Sequence, residues 1–142
     1  MSHAIDFGQL VAAAGDAVVV SDASGAIIVW NPAAERIFGF SEAEAIGRSL
    51  DLITPERQRQ RHWDGYHKTM QTGVTRYRAE TLRVPAIHKD GHALSIAFTV
   101  ALLHGPDGAV TGIAAIIRDE TKRWNDERQL RKRLAELEAR PT

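Results

Sequence analysis

The chain has no cysteine among its 142 residues. That removes disulfides, thiolate metal sites, iron–sulfur clusters and the photochemistry in which a flavin bonds to a cysteine. It has no net charge, because 18 Lys and Arg balance 18 Asp and Glu. Nothing therefore draws it as a whole toward nucleic acid or an acidic membrane surface. No apolar run approaches the roughly 18 residues that a membrane span needs. The start, Met1-Ser-His-Ala-Ile-Asp6, lacks the basic stretch and apolar core of a secretory leader. Local signatures of catalysis are missing too: there is no Ser-His-Asp arrangement, no phosphate-cradling glycine loop and no His-Glu-x-x-His. The basic run from Lys122 to Arg133 is interrupted by Asp126 and Glu127 and preceded by Glu120, which argues against a DNA-binding stripe. These absences point to a cytoplasmic protein that is not an enzyme and engages neither membrane nor nucleic acid.

What is present is 44% apolar residues, enough for one core. Ile5, Phe7, Leu10, Val11 and Ala14 suit a short amphipathic helix, broken at Gly15-Asp16. Ala17–Ser21 and Ala26–Trp30 are β-rich and flank the turn-rich tetrad Asp22-Ala-Ser-Gly25, so they predict a hairpin. The stretch from Trp30 to Gly47 is the most informative. Asn31 is a good N-cap and Pro32 suits a first helical turn. Gly39 ends that helix, and Ser41 with Glu44 three residues on reads as a capping box opening a second. A strand thus feeds two very short helices, which scaffold poorly but can line a pocket. Pro55 then opens a polar helix over Glu56–Gln71, stopped near Gly73.

Three strand signals follow: Arg78–Ile87, Ala93–Leu103 and Val110–Arg118. The first two are joined through His88-Lys-Asp-Gly91, whose Asp-Gly is a strong hairpin turn. The pattern predicts an α+β fold, a five-stranded antiparallel sheet with helices covering one face. From Lys122 to Arg140 there is neither glycine nor proline. Leu130, Leu134 and Leu137 form a single heptad seam, too short for an isolated coiled coil, and Glu127–Arg131 and Glu136–Arg140 are favourable i,i+4 pairs. The expected division is an N-terminal helix over residues 1–15, a sensor domain over 16–121 and a C-terminal helix over 122–142.

This order of elements resembles a PAS domain, a small sensor and interaction fold. The matching pieces are Asp16-Ala-Val-Val-Val-Ser-Asp, Gly25-Ala-Ile-Ile-Val-Trp-Asn-Pro-Ala-Ala, Phe38-Gly-Phe-Ser-Glu, Gly47, Lys89-Asp-Gly91, Gly112 and Arg118-Asp-Glu-Thr121. Together they cover roughly residues 5 to 121. The resemblance implies that Asp119 and Thr121 join the last strand to a C-terminal signalling helix. Physically, either residue can cap the first turn of that helix.

Within Leu52–Tyr66 the chain is similar to the proximal helix of oxygen-sensing PAS domains of the FixL type. The resemblance places the axial haem ligand at His62, with Lys68 and Arg76 where propionate partners are expected. Trp63 departs from the pattern, standing where that family usually has Asp and shifting Asp64 and Tyr66 by one residue. A neutral imidazole is a good iron ligand and leaves the opposite face open to a gas. Leu82, Val84, Phe98, Val100, Leu102, Ile113 and Ile116 can supply an apolar wall. The oxygen sensors carry a distal arginine whose position here is Leu82; Arg83 is adjacent, but strand alternation turns it to the other face. An apolar distal side favours carbon monoxide or nitric oxide over stabilised oxygen. On residue pattern alone, His62 lies in a run of Arg and Gln that marks a solvated helix face. His67 lies some 140° round the helix from it and is a secondary axial candidate.

The leading expectation is a sensory domain that binds b-type haem through His62 and reports O2, CO, NO or redox state, in the manner of bacterial two-component signalling. The alternative is a PAS module with an empty or small-molecule-filled pocket that serves dimerisation and relay. Non-covalent flavin is a further possibility, with Trp30, Asn31 and Trp63 as its only ring-contact candidates. A homodimer through the N- and C-terminal helices is expected. Because no output domain follows in this sequence, the chain reads as a fragment of a sensor or a stand-alone protein acting through a partner kinase, cyclase or regulator. His88 and His92 flank the Lys89-Asp90-Gly91 turn and can meet across the hairpin mouth, but two histidines without carboxylate or thiolate make a poor zinc site. They read as exposed turn residues, and His3 and His104 as terminal and loop residues.

Overall fold

A computed structural model describes residues 4–75 and 80–140. Helix α1 (Phe7–Ala13) precedes the hairpin of β1 (Ala17–Asp22) and β2 (Ile27–Trp30). Helices α2 (Pro32–Phe38) and α3 (Glu42–Ala45), two 3-10 turns (Leu50–Ile53 and Glu56–Gln58) and helix α4 (Arg59–Thr72) follow. Strands β3 (Leu82–Ile87), β4 (Ala93–His104) and β5 (Val110–Asp119) lead into α5 (Thr121–Glu138). Among the described residues, five strands form one antiparallel sheet in the order β2-β1-β5-β4-β3. This is the α+β architecture that the sequence predicts. The expected strand start at Arg78 falls in 76–79, outside the described residues, as does Arg76; within them β3 begins at Leu82.

The turns form for the reasons the residues give. The Asp22 carboxylate accepts hydrogen bonds from the backbone N–H of Ser24 and Ala26 and from the Ser24 hydroxyl, closing the β1–β2 turn. Ser41 and Glu44 make a full capping box at α3. The polar helix starts with the 3-10 turn at Glu56 and becomes α-helical at Arg59.

The sheet's inner face is read from its register. Ala17 and Val19 of β1, Ile117 and Ala115 of β5, Ile96 and Phe98 of β4 and Val84 and Ala86 of β3 share one face. Trp30, Ala34 and Phe38 pack there, and the Trp30 indole N–H donates to the Phe40 carbonyl at 2.9 Å. On the opposite face lie Val18, Ile116, Thr99 and Arg83.

Asn31 joins three elements. Its Oδ1 accepts the backbone N–H of Val18 at 2.9 Å and of Ala34 at 3.1 Å. Its Nδ2 donates to the carbonyls of Val11 at 2.9 Å and Asp16 at 3.1 Å. The residue is 3% exposed, so every bond is made away from water. Ile5, just before α1, and Phe7 and Leu10 within it are by contrast 65%, 72% and 59% exposed, so most of the expected apolar face finds no cover among the described residues.

Replacing Asn31 by Ala removes the cap of α2 and leaves four backbone groups without their partner. It is expected to cost roughly 3 kcal/mol or more, read as a lower urea midpoint at an unchanged slope. Asn31→Asp keeps both acceptor bonds but sets a carboxylate against two carbonyls, so its loss should be smaller at acidic than at neutral pH.

Candidate cofactor site

The inner face is unevenly covered. Where α2 and α3 lie over it, Ala17, Val19, Leu94, Ile96 and Ile117 are buried. Farther along the same face, Leu82, Val84, Phe98, Val100, Leu102, Ile113 and Ala115 are only half-buried. A strip of apolar wall therefore points inward without full cover. Ile116 does not belong to it. Its partners across the sheet are Val18 and Thr99, and it is 41% exposed on the outer face. The continuous apolar run Ile113–Ile117 has no alternation to reveal which face each residue takes.

Helix α4 borders this wall, and three side chains hold it. The Tyr66 hydroxyl is 2.9 Å from Ser21 Oγ and also bonds the Asp22 carbonyl. The Trp63 indole N–H donates to Asp51 Oδ1 at 2.7 Å. Its six-membered ring lies on Gly25, where a Cβ would come within 2.2 Å; Gly25 also has φ +87°, so both space and backbone demand glycine. Arg59 donates to the carbonyls of Thr54 and Asp51. Trp63, the departure from the FixL-type pattern, is thus a clamp between α4 and the β1–β2 turn. Burial raises the Tyr66 pKa, so its hydroxyl keeps its proton.

His62 lies one turn before Tyr66 and is half-buried, unlike the solvated position that its Arg- and Gln-rich surroundings suggest. Its ring is 4.8 Å from that of Trp63 and 5.9 Å from that of Tyr66. Burial pushes its pKa below the ordinary value, with the nearby Asp51 charge opposing only in part. The ring is therefore neutral. Its Nδ1 is shut off from solvent and has no hydrogen-bond partner. A buried polar atom left so costs about 1–3 kcal/mol. His67 is exposed and stacks on the far side of Trp63 at 6.0 Å, and Lys68 is exposed on the same helix.

The flavin candidates are all engaged within the protein: Trp30 with the Phe40 carbonyl, Trp63 with Asp51, and Asn31 with four backbone groups. At the other end of the sheet, Asp119 Oδ1 accepts the backbone N–H of Thr121 at 2.9 Å and bonds its hydroxyl. Thr121 Oγ1 in turn accepts the Ser95 N–H at 3.0 Å, and Glu120 N–H donates to the Ser95 carbonyl at 2.8 Å. The N-cap position of α5 is Glu120, which makes no side-chain cap bond, so Asp119 and Thr121 act less as the expected cap than as a lock between the helix start and β4. Sequence reasoning also missed Asp90, whose carboxylate sits between His88 and His92. The spacing i, i+2, i+4 was its available signal.

The site is thus a five-stranded sheet with helices over one face and a half-covered stretch of apolar wall on that same face. The family model described as PAS fold matches residues 6–119, and the chain belongs to the PAS family, whose domains are sensory modules. It is 44% identical over 63 residues to the sensor protein FixL of Bradyrhizobium diazoefficiens, covering 44% of this chain and 11% of that protein. It is 25% identical over 105 residues to the oxygen sensor protein DosP of Escherichia coli K12, covering 74% of this chain and 13% of that protein. The chain thus spans a small part of the curated relatives it matches. Among solved structures, the PAS domain of a Colwellia psychrerythraea protein superposes with a TM-score of 0.71 at 26% identity, covering 82% of this chain and 95% of that one. No helix among the described residues is long and apolar enough to cross a membrane.

Because burial depresses the native pKa of His62, the ring is neutral in both folded and unfolded chains above the ordinary imidazole value of 6.5. Below that value the unfolded chain takes up a proton that the native ring resists, so stability present above pH 6.5 is lost as pH falls toward the native pKa. Thermal melts of haem-free protein between pH 7.5 and 5, in roughly half-unit steps, should show a smaller acid-induced decline for His62→Leu than for wild type.

Proposed function

We propose that this chain is a haem-binding PAS sensor. His62 is the axial ligand of a b-type haem, and the signal is a diatomic gas or redox state. The observation that supports this reading is the half-buried, neutral His62 imidazole, whose buried Nδ1 has no partner, on a helix tied through Tyr66 to the strand that pairs with Ile113 of the half-covered apolar wall. A neutral imidazole is the ligating form, and an unpartnered nitrogen is one that a metal or a bound water can satisfy. Leu82, Val84, Phe98, Val100 and Leu102, with Ile113 and Ala115, would pack the macrocycle. Ile116, on the outer face, is not part of that set. Lys68, and Arg76 by resemblance alone, would meet the propionates. The haem supplies gas or electron binding at its iron. The protein's part is to hold the ring neutral, exclude water and present a distal side with Leu82 in place of arginine. That distal side favours carbon monoxide and nitric oxide. The name of the DosP relative, an oxygen sensor protein, supports an oxygen-type stimulus, and that of FixL a sensory role.

The relay we infer runs through the Asp119–Thr121 lock into α5, with a homodimer formed through α1 and α5. A specific observation favours the dimer: Leu130, Leu134 and Leu137 of α5 are exposed, as is the apolar face of α1. A cofactor-free PAS dimerisation module remains the alternative. It shares this surface and lacks only the haem. The boundaries proposed for these parts are 1–15, 16–121 and 122–142, and the partner would be an output kinase, cyclase or regulator.

Protein purified from haem-supplemented cells should show a strong Soret band that His62→Ala abolishes while folding persists by circular dichroism. A colourless wild type that fails to take up added hemin would sink the haem reading. Self-association should weaken when Leu130 and Leu134 are both changed to Glu in the full chain. An unchanged sedimentation profile would remove α5 from the dimer.

A further inference from the structure

Away from the pocket, the β3–β4 hairpin gathers three metal-ligating side chains. His88 N–H donates to the His92 carbonyl at 3.0 Å, and Gly91 N–H to the His88 carbonyl at 2.8 Å. Gly91 takes φ +93°, which closes the turn. The two imidazoles stack with centroids 4.4 Å apart. Between them, Asp90 Oδ1 accepts the His92 backbone N–H at 2.9 Å and contacts His92 Nδ1. That backbone bond first of all, then the histidine contacts, holds the Asp90 carboxyl below the ordinary carboxylate range, so it is ionised near neutral pH.

His88 Nδ1 accepts the Asp90 backbone N–H at 3.1 Å and is also 3.2 Å from Asp90 Oδ1. Because Nδ1 accepts that N–H, its lone pair lies beside the carboxylate oxygen, and two electron-rich atoms converge. A cation relieves that repulsion. Two donors each about 2.1 Å from one zinc lie roughly 3.4 Å apart at the tetrahedral angle, close to the spacing already present. Donor atoms of all three residues lie within 4.8 Å of one another.

We propose that His88, Asp90 and His92 form a binding site for a divalent transition-metal ion of the zinc class. Two imidazoles and one carboxylate suit zinc or cobalt, whereas calcium and magnesium select all-oxygen sets. Asp90 and His92 are open to solvent, which leaves the remaining coordination positions to water or to a donor from another molecule. Metal binding at His88 Nδ1 replaces its amide contact. Lys89 does not intrude, since its ammonium pairs with Glu44 at 2.6 Å.

The site also has a mechanical setting. His88 lies flat on Gly39, where a Cβ would come within 2.5 Å of its ring, and Lys89 N–H donates to the Phe38 carbonyl at 2.9 Å. The hairpin tip thus rests on the end of α2, so the ion fixes that edge of the sheet against the pocket-side helices. This inference is independent of haem at His62.

The test is calorimetric titration of the tag-free, chelator-treated 142-residue chain with Zn2+, paired with Co2+ absorption in the visible range. One ion per chain is expected. Since even an outer-shell change typically weakens metal binding 10- to 100-fold, His92→Ala and Asp90→Asn should each weaken it by at least about tenfold. His62→Ala should leave it unchanged, and thermal melts without metal confirm that the exposed-residue variants fold. Absence of binding at millimolar ion, equal affinity in the hairpin variants, or loss of binding in His62→Ala would each overturn the site.

Discussion

Asn31 is the residue on which the rest of the structure depends. It ends β2, caps α2, and through its amide reaches back to the end of α1 and the start of β1. A side chain with one acceptor and two donor hydrogens meets four backbone groups in the interior, and none of the four is left for water. Buried backbone groups must be paired somewhere, and here one amide side chain pairs those of three segments at once. Aspartate offers no donors for the carbonyls of Val11 and Asp16, and serine is too short to reach both sides. The chain reversal that brings α2 over the inner face of β1 follows from this one geometry, with Pro32 setting the first turn and Trp30 sealing the junction beside Phe38.

From that fixed corner the helical layer runs out before the sheet does. α2 and α3 are short, and beyond them only α4 is available to cover β4 and β5. Its backbone stays away from those strands and is held by Tyr66, Trp63 and Arg59 to the β1–β2 turn and the segment around Asp51. The unfilled strip of wall is thus a consequence of how α4 is anchored. The bond of Trp63 to Asp51 and the absence of a side chain at Gly25 hold the helix at the turn rather than against the wall. The same anchoring places His62, one turn away, where its ring is sheltered but its Nδ1 finds no protein partner.

Much of this was legible from residue patterns because it is local. Asn31-Pro32, the Ser41–Glu44 box and the Asp22–Gly25 turn are encoded within four residues, and each takes the predicted form. What the sequence hid is what depends on long-range register. The amide partners of Asn31 lie 15 and 20 residues away. The face taken by Ile116 follows from its pairing with Val18 and Thr99, which an unbroken apolar run does not disclose. His62 looked solvated because its neighbours are arginine and glutamine, yet a helix shows those residues to water on one side while turning every third or fourth residue inward. Asp90 looked like an ordinary turn residue until the hairpin brought both imidazoles to it.

The joint to α5 depends on the same kind of register effect, and the proposed relay would run through it. A simple N-cap would tie Thr121 to its own helix. Instead Asp119, Glu120 and Thr121 all engage, directly or through one another, the backbone of Ser95 in β4. Ser95 is three residues from Phe98, whose side chain belongs to the half-covered wall. A strand is stiff along its length, so a load on Phe98 or Val100 reaches Ser95 as displacement of its N–H and carbonyl. Those two groups hold the first turn of α5. Relay requires that α5 have two arrangements whose balance the pocket biases. In the proposed relay, the lock is where such a bias would enter, because its hydrogen bonds tie the first turn of the helix to β4. Leu130, Leu134 and Leu137 are exposed along the seam, so in the proposed dimer a second helix covering them would set the orientation of α5 together with the Ser95 lock.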